Sequence, residues 1–499
     1  MVTLLILDGW GHRDEEKGNA IKLQGTPNID KLNEYPHVLI EASGRAVGLT
    51  DGQMGNSEVG HRGIGAGIVV KQDLLLIQEA IEDGSFFNNE AFLGAINHCK
   101  ANNSALHLVG LVSDGGVHSH ITHLKKLVEM AHLNNIEKVY IHFISDGRDT
   151  LVDSGVGFVA DLEKDIKGKA VIADIVGRVY AMDREKRYDR LKKAYDLYVN
   201  GIAEKTASSA TEALKQSYAG GVFDEFIEPV IIDKNGKMND GDSVIYFNFR
   251  KDRGRELTDA LTQKTFNAFE TKNFENLYFC SMTEYNRDFT GINIAFKETP
   301  IKNNLSNILA QNGLKQFRVA ETTKYAHITF YFNSGVEAPY LNEERKLIDT
   351  INVKDFSEHP QMRAIEITED AIKAIESKQY DFVLINLSNP DMIGHTGNME
   401  AAMNAVKVID ECAYKIAMAT INAGGDCIVT ADHGNIEYME DEEGNAITSH
   451  TTNPVWLWLV SEKYKNEKLI ENGKLANIAA TILKMLNIEN PDYMEEGMF

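Results

Sequence analysis

Short hydrophobic runs rich in Val, Ile and Phe alternate with helical stretches along the chain. The runs lie at residues 2–7, 105–112, 139–144, 171–176, 243–249, 382–387 and 427–431. Strands that are buried on both faces read as continuous apolar runs, and parallel strands need long, usually helical, connections. The pattern therefore predicts an α/β fold with largely parallel sheets.

Polar residues follow each run at the point where the strand is expected to end. These segments are Asp8-Gly9, Ser113-Asp-Gly-Gly116, Ser145-Asp-Gly-Arg148, Gly177-Arg178, Arg250, Ser388-Asn-Pro-Asp391 and Asp432-His433-Gly434. In open α/β sheets, ligands bind outside the carboxyl ends of the strands. The repeated placement indicates chemistry at these ends of the strands.

The polar residues divide into two chemical types by position. Carboxylates and histidines that suit metal ions lie near the two ends of the chain, whereas arginines follow strands between residues 148 and 253. If the end groups share one site, the ends form one domain and the middle is inserted into it. We expect a metal-binding domain of residues 1–71 plus 300–499 and a substrate domain of residues 72–299. The junctions are expected near Val70-Lys-Gln72 and Glu298-Thr-Pro-Ile301, where a proline interrupts the pattern.

Composition and charge narrow the class of protein. Of the 499 residues, 43% are hydrophobic and 25% are charged, which is the balance of a globular protein. A net charge of −23 argues against nonspecific binding to nucleic acid or to an anionic membrane. No apolar run approaches the ~20 residues that span a bilayer, and the four cysteines show no C-x-x-C spacing. We expect a cytoplasmic location and reduced thiols.

Several groups near the chain ends are candidate metal ligands. Asp391 and His395 are four residues apart, so one helical turn presents both on the same side. Taken alone, a capping Asp and an incidental His explain such a pair more often than a metal does. Together with Asp8, Asp432, His433 and His450, the pair offers oxygen and nitrogen ligands without sulfur. This set suits two Mn²⁺, Mg²⁺, Zn²⁺ or Co²⁺ ions, which can clamp a transferring phosphoryl group, and it disfavours copper(I) or iron–sulfur chemistry.

Ser57 is a candidate nucleophile because it lies between glycines that allow close approach of a ligand. A base or a metal would have to activate its hydroxyl. Spacing alone does not separate this role from that of a serine capping a helix. Further along, Arg148, Arg178, Arg184, Arg250 and Arg253 offer guanidinium forks that match phosphate and carboxylate oxygens.

The following segments carry a resemblance that runs nearly from end to end: Leu7-Asp-Gly-Trp-Gly11, Gly55-Asn-Ser-Glu-Val-Gly-His61, Ser113-Asp-Gly-Gly-Val-His-Ser-His120, Ser145-Asp-Gly-Arg-Asp149, Tyr180-Ala-Met-Asp-Arg184, Asn248-Phe-Arg250, Glu321, Lys324-Tyr-Ala-His327, Asn389-Pro-Asp-Met392, Gly394-His-Thr-Gly397, Thr430-Ala-Asp-His-Gly-Asn435 and His450-Thr-Thr-Asn-Pro-Val455. In this order and spacing, the chain resembles the 2,3-bisphosphoglycerate-independent phosphoglycerate mutases of the alkaline phosphatase superfamily.

The resemblance implies a monomeric glycolytic isomerase with two α/β domains, which interconverts 3- and 2-phosphoglycerate through a phosphoserine at Ser57. It implies two divalent ions, for which Mn²⁺ is the favoured metal. One ion is bound by Asp391, His395 and His450, and the other by Asp8, Ser57, Asp432 and His433. The implied substrate residues are His118, Arg148, Asp149, Arg178, Arg184, Arg250, Arg253 and Lys324, with Asp149, His118 and Lys324 also catalytic. Departures from the family pattern occur at Thr323, Lys251 and Asn386-Leu-Ser388, none of which is an implied ligand.

Three alternatives stay open at this point. A phosphomonoesterase or a phosphopentomutase would use the same metal core, and an inactive relative would only bind metal or phosphate. The arginines and Asp149 of the inserted domain favour a substrate that bears a carboxylate, and the intact ligand set with Ser57 disfavours an inactive protein. Because water would hydrolyse a phosphoserine, we also expect open and closed forms.

Overall fold

The computed structural model describes residues 1–298, 300–301 and 303–499. The chain divides into two compact units, one made of Met1–Gln72 with Pro300–Phe499 and the other of Asp73–Thr299. We call them the first and the second unit. Part of the expected junction at Glu298–Ile301, namely Thr299, lies outside the described residues. Within the described part of the chain, no helix is both long and apolar enough to cross a membrane.

Fifteen strands occur in the described residues. They are β1 (Val2–Leu7), β2 (His37–Ile40), β3 (Leu106–Leu111), β4 (Val139–Ser145), β5 (Val171–Gly177), β6 (Lys205–Thr206), β7 (Val230–Ile231), β8 (Ser243–Tyr246), β9 (Tyr278–Thr283), β10 (Asn293–Phe296), β11 (Gln316–Glu321), β12 (Glu343–Ile348), β13 (Phe382–Leu387), β14 (Asp426–Thr430) and β15 (Val455–Val460).

Sixteen α-helices occur in the same ranges. They are α1 (Ala20–Gln24), α2 (Ser57–Ala66), α3 (Asp73–Glu82), α4 (Glu90–Asn102), α5 (Ile121–Leu133), α6 (Gly155–Ile166), α7 (Arg178–Ala181), α8 (Tyr188–Tyr195), α9 (Ala210–Ala219), α10 (Arg255–Thr262), α11 (Leu305–Gln311), α12 (Thr322–Ala326), α13 (Ala364–Glu376), α14 (Asn389–Gly394), α15 (Met399–Asn422) and α16 (Asn477–Met485).

The first unit is built on a seven-stranded sheet of order β12-β11-β13-β1-β14-β15-β2. Strand β1 pairs in parallel with both β13 and β14, and every residue of β1 is buried. Burial on both faces explains why its sequence is a continuous apolar run. The carboxyl ends of these three strands meet at one edge of the sheet, so the polar residues that follow them are brought together there.

The second unit is built on an eight-stranded sheet of order β10-β9-β8-β3-β4-β5-β7-β6. All of its pairings are parallel except that of β5 with β7. The α/β fold with largely parallel sheets is therefore confirmed for both units. All seven predicted runs form strands, and the segments after β3, β4, β5 and β8 carry the polar residues of this unit.

Four ionisable side chains form a hydrogen-bonded row through the interior of the second sheet. The Asp242 carboxylate lies 3.2 Å from Nε2 of His107, and Nδ1 of His107 lies 2.9 Å from Nε2 of His142. At the far end, Nδ1 of His142 lies 2.7 Å from Oδ2 of Asp174. All four residues are buried. The row therefore links β3, β4 and β5 with the residue that precedes β8.

Candidate active site

Ser57 is the first residue of α2 and is buried. The side chain of the preceding residue, Asn56, caps the helix by accepting a hydrogen bond from the backbone N–H of Val59 at 3.1 Å. Asn56 thus takes the capping role that the sequence left open for Ser57. The hydroxyl of Ser57 is not needed as a helix cap and can take part in the candidate active site.

The N-terminal part of α2 lies tightly against the loops that follow the strands. A Cβ atom on Gly60 would lie 2.7 Å from the carbonyl oxygen of Asp432, and one on Gly55 would lie 3.1 Å from Cβ of His433. Only glycine permits this approach, because such contacts are shorter than van der Waals distances. The glycines around Ser57 therefore bring its hydroxyl to the edge of the first sheet.

The hydroxyl oxygen of Ser57 lies 2.9 Å from Nε2 of His433 and 3.3 Å from Oδ1 of Asp8. His433 follows β14 and Asp8 follows β1, so both come from the carboxyl ends of neighbouring parallel strands. Nε2 of His433 also lies 3.5 Å from a carboxylate oxygen of its neighbour Asp432. These four residues form one half of a buried cluster.

The other half of the cluster is centred on Asp391, in the one-turn helix α14 that the sequence predicted. Its Oδ1 lies 3.2 Å from Nε2 of His395 and 3.2 Å from Nε2 of His450. The two histidine nitrogens are 3.1 Å apart. Nε2 of His433 lies 4.0 Å from Oδ1 of Asp391 and joins the halves. All seven candidate ligands therefore lie in one cluster.

Two triads within the described residues have ligand atoms that all lie within 4.8 Å of one another: Asp391, His433 and His450 in one, and Asp8, His61 and Asp432 in the other. The second triad adds His61, to which the sequence gave no role. Nδ1 of His61 lies 2.9 Å from the carbonyl oxygen of Ser57, so it must donate there. Its Nε2 then accepts from the side-chain amide of Asn386 at 3.0 Å. These partners fix the ring and make His61 a support for Asp432.

The donor set fits divalent cations. Oδ2 of Asp432 is buried and, in the described part of the chain, accepts no hydrogen bond. Nδ1 of His61 lies 3.2 Å away but donates to the carbonyl oxygen of Ser57 instead. A buried carboxylate oxygen without a donor needs another electropositive partner. Carboxylate oxygens and imidazole nitrogens are ligands of Mn²⁺, Mg²⁺, Zn²⁺ and Co²⁺.

Lys324 lies among the carboxylates of the cluster. Its Nζ lies 2.7 Å from Oδ1 of Asp8 and 2.7 Å from Oδ2 of Asp391. Burial opposes a charge on Lys324, but the Coulomb attraction of these two carboxylates outweighs it and raises the lysine pKa above its usual value. Burial likewise opposes ionisation of Asp8 and Asp391, and the ammonium outweighs it and holds both carboxyl pKa values below their usual range. The cluster therefore carries an ammonium and ionised carboxylates at neutral pH.

The second unit holds a separate cluster around Arg178, which is almost fully buried at 2% exposure. Its Nη1 lies 2.6 Å from Oδ1 of Asp146 and 2.6 Å from Oδ2 of Asp149. Nε2 of His118 lies 3.8 Å from the same oxygen of Asp149. Burial, together with the Arg178 charge, lowers the pKa of His118 to about 4, so the imidazole is neutral. A carboxylate and a neutral imidazole are thus held side by side.

Four more arginines belong to this cluster. Asp252 joins Arg184 and Arg250, with contacts of 2.8 Å to Nη1 of Arg184 and 3.1 Å to Nε of Arg250. Arg253 donates to the carbonyl oxygen of Met182 at 2.8 Å. Burial and the charges of Arg178, Arg184 and Arg148 lower the pKa of Arg253. Arg148 lies 3.4 Å from Glu225. Such a concentration of guanidinium groups favours an anionic ligand.

Sequence reasoning missed the residues that support the ligands. Asn386 donates to Oδ2 of Asp8 at 2.7 Å, and Asn435 donates to Oδ1 of Asp391 at 2.9 Å. Asn435 and His61 lie inside recognised segments, and Asn386 begins a segment that departs from the family pattern. A sequence does not reveal which ligand a neighbouring amide will contact. Ser388, a departure from the family pattern, donates to Oε1 of Glu321 at 3.2 Å.

Comparisons with known proteins identify the family of this chain. Residues 77–287 match the family model described as BPG-independent PGAM N-terminus. A 2,3-bisphosphoglycerate-independent phosphoglycerate mutase of Clostridioides difficile is 46% identical over 501 residues, covering 99% of this chain and 98% of the relative. A relative with the same description from Nostoc punctiforme is 47% identical, covering 99% of this chain and 94% of the relative.

A solved structure extends the comparison to three dimensions. Leishmania mexicana phosphoglycerate mutase, in a crystal structure at low cobalt concentration, has a TM-score of 0.61 and 32% sequence identity. The match covers 100% of this chain and 97% of that one. The chain belongs to the 2,3-bisphosphoglycerate-independent phosphoglycerate mutases.

Proposed function

We propose that this isomerase interconverts 3-phosphoglycerate and 2-phosphoglycerate through a phosphoserine at Ser57. One observation carries the proposal: the buried Ser57 hydroxyl oxygen lies 2.6 Å from Nζ of Lys324 and 2.9 Å from Nε2 of His433. A hydroxyl beside the ammonium group of Lys324 is set to receive a phosphoryl group, whose oxygens need such a partner. This geometry and the family together favour a serine nucleophile.

In this proposal, Asp391, His395 and His450 hold one divalent cation, and Asp8, Ser57, Asp432 and His433 hold the other. When bound, the cations neutralise phosphoryl oxygens and lower the pKa of the serine hydroxyl. We propose Mn²⁺ as the favoured metal, because carboxylate-rich sites with imidazoles suit it. Co²⁺, Mg²⁺ and Zn²⁺ are the alternatives. The low-cobalt structure of the Leishmania relative supports testing Co²⁺ as well.

The chain's own residues then divide the work. Lys324 contacts the phosphoryl group that Ser57 accepts, and the arginines bind the carboxylate and phosphate oxygens of the substrate. Arg178 positions the carboxyl group of Asp149. Ser57 loses its proton to solvent when the site is loaded, and its oxygen attacks phosphorus as the bond from phosphorus to the glycerate oxygen breaks. Asp149 enters this step protonated, gives its proton to the departing glycerate oxygen and becomes the carboxylate. Asp149 takes a proton back from the hydroxyl that next attacks phosphoserine. Neutral His118 lies beside Asp149 and forms a hydrogen bond with the same hydroxyls, as donor or as acceptor.

Phosphorus NMR of the metal-stripped chain, reloaded separately with each of the four cations, tests this function. With 3-phosphoglycerate and no bisphosphoglycerate, an active cation should yield 2-phosphoglycerate, and a Ser57→Ala variant should yield none. Ser377→Ala is the matched control and should retain activity, because the Ser377 hydroxyl follows α13 and donates to the carbonyl oxygen of Ala374 at 2.7 Å. Free phosphate as the sole product would identify a phosphatase, and turnover of pentose phosphates in place of phosphoglycerate would identify a phosphopentomutase.

We also propose a monomer in the cytoplasm. All four cysteines are free and buried, which suits a compartment in which thiols stay reduced. Light scattering of the purified chain tests the oligomeric state, and a mass of twice 55.6 kDa would contradict a monomer.

A further inference from the structure

Glu437 is a fully buried carboxylate whose two oxygens meet four N–H and O–H donors. Oε2 accepts from the backbone N–H of Gly11 at 3.0 Å and from that of Asn435 at 2.8 Å. Oε1 accepts from the side-chain amide of Asn453 at 2.9 Å and from the hydroxyl of Thr451. Removing the carboxylate would therefore leave three buried donors and the half-buried amide of Asn453 without this partner.

Each donor belongs to a segment that carries a candidate ligand. Gly11 is three residues after Asp8, Asn435 is two after His433, and Thr451 is next to His450. The side chain of Asn435 also donates to Oδ1 of Asp391. One carboxylate thereby ties together three of the five parts of the chain that contribute candidate ligands, and through Asn435 it also reaches the part with Asp391.

The loops pack so tightly around Glu437 that Gly11 and Gly434 have no room for a side chain. A Cβ atom on Gly11 would lie 2.3 Å from Cδ of Glu437, and one on Gly434 would lie 2.4 Å from its Oε1. Real Cβ atoms do not approach other atoms so closely, so both glycines are needed for the carboxylate to reach its donors.

We propose that Glu437 is a positioning residue, which holds the three ligand-bearing loops at the spacing that the two cations require. This inference rests on the proposed metal site. Ligands that are already held in place lose less freedom when a cation binds, so outer partners commonly raise metal affinity by ~10–100-fold.

The hydrogen-bond pattern predicts which substitution is tolerated. The backbone N–H groups of Gly11 and Asn435 can only donate, and the carbonyl oxygen of a glutamine accepts from both. The glutamine NH₂ then faces Thr451, whose hydroxyl can rotate to accept, and Asn453, whose amide can turn its oxygen. Glu437→Gln should therefore retain the loop arrangement, whereas Glu437→Ala should lose it.

Calorimetric titration of the metal-stripped, full-length chain with Mn²⁺ alone tests the inference. We expect the Kd of Mn²⁺ to rise ~10–100-fold in Glu437→Ala and to stay within about threefold in Glu437→Gln. If Glu437→Ala does not fold, as judged by circular dichroism, Gly11→Ala replaces it, because its methyl group displaces the carboxylate. Gly63→Ala is the matched glycine control, since a Cβ there meets only the carbonyl oxygen of Ile68 at 3.9 Å.

The outcomes separate the two proposals. No Mn²⁺ binding to the wild-type chain would overturn the metal site itself. Normal wild-type binding with an unchanged Kd in Glu437→Ala, even at a lowered melting temperature, would mean that Glu437 only stabilises the fold and would overturn the positioning role. If Glu437→Gln lost as much Mn²⁺ affinity as Glu437→Ala, the negative charge of Glu437 rather than its hydrogen bonds would determine the affinity. That result would also overturn the positioning role.

Discussion

The ammonium nitrogen of Lys324 lies 2.6 Å from the hydroxyl oxygen of Ser57. The same nitrogen lies 2.7 Å from the carboxylates of Asp8 and Asp391, so one buried cation serves the candidate nucleophile and two candidate metal ligands. Lys324 thus has two separable roles, one in the stability of the metal-free protein and one in catalysis.

Replacing Lys324 by methionine should affect both roles. Two buried carboxylates lose their cation, so the free energy of unfolding of the metal-stripped protein should fall by about 3–5 kcal/mol. Saturating Mn²⁺ should restore most of this loss, because the bound cations then supply the charge. The value of kcat should still fall by ~10²–10³, since one phosphoryl partner is gone. Thermal unfolding with and without Mn²⁺, together with steady-state kinetics, measures both effects.

Lys346→Met is the control for this substitution, because Lys346 pairs with Asp370 at a half-exposed position. Its effect on stability should stay below about 1 kcal/mol. Equal losses in the two variants, or a Lys324→Met protein that Mn²⁺ does not stabilise, would contradict the assignment.

Metal affinity should depend on pH through His433. Burial opposes a charge on this residue, but the carboxylates of Asp432, Asp8 and Asp391 outweigh burial and raise the pKa of His433 to about 9, from an ordinary value of 6.5. A cation needs the neutral imidazole, so binding must release this proton. We expect Mn²⁺ affinity to rise about tenfold per pH unit between about 6.5 and 9.

The same proton affects the metal-free protein in the opposite direction. Because the folded-state pKa of His433 is raised, its contribution to stability is complete below about 6.5 and is lost as the pH rises through about 9. Titration calorimetry in buffers of different ionisation enthalpy measures the proton release. A Kd of Mn²⁺ that stays constant between pH 7 and pH 9 would refute this expectation, as would activity that is flat down to pH 5 with limiting metal.

Asp149→Asn should separate proton transfer from substrate binding. The amide preserves the shape of the side chain beside Arg178 but cannot take up a proton, so kcat should fall by ~10²–10⁴ with little change in KM. Asp146→Asn is the comparison, because Asp146 contacts the same guanidinium at 2.6 Å and the hydroxyl of Ser113 at 2.6 Å. It should lower the melting temperature and raise KM more than it lowers kcat. An Asp149→Asn enzyme with normal kcat would exclude Asp149 as the proton carrier.

The histidine row of the second sheet should be structural. Replacing His142 by phenylalanine removes a partner from both His107 and Asp174, and leaving such groups buried and unpaired should cost about 3 kcal/mol of unfolding free energy. Urea unfolding measures this loss, while the KM for 3-phosphoglycerate should not change. An unchanged free energy of unfolding would mean that the row makes no net contribution to stability.

Sequence predicted seven of the described strands and missed eight, among them β15, whose run Val455–Val460 is apolar throughout, and several whose pattern is broken. β12 is an edge strand with exposed charged residues, and β6 is only two residues long, so neither gives an apolar run. β11 is fully buried yet contains Arg318, which lies 3.2 Å from Glu343. In the sequence of a single strand, a buried charged residue that pairs with a neighbouring strand cannot be distinguished from an exposed charged residue.

The sequence likewise predicted only some residues of the candidate site. Residues with distinctive chemistry stand out: Asp391 by its type and the strand end that precedes it, and Ser57 by its place between glycines. Supports such as Glu437 do not, because a glutamate that accepts four hydrogen bonds reads like any solvated acid. Its partners are set by loops that only folding brings together.

The position of β1 in its sheet has a consequence for biosynthesis. β1 lies between β13 and β14, and Leu7 precedes Phe382 by 375 positions. At ~5–20 residues per second, a ribosome needs roughly 20–75 s to make the partner strand after β1 has emerged. The second unit, whose strands all lie within one continuous segment, can complete its own sheet during that interval. The apolar run of β1 therefore spends most of translation without its neighbours, which makes the nascent chain a client for chaperones that shield exposed strands.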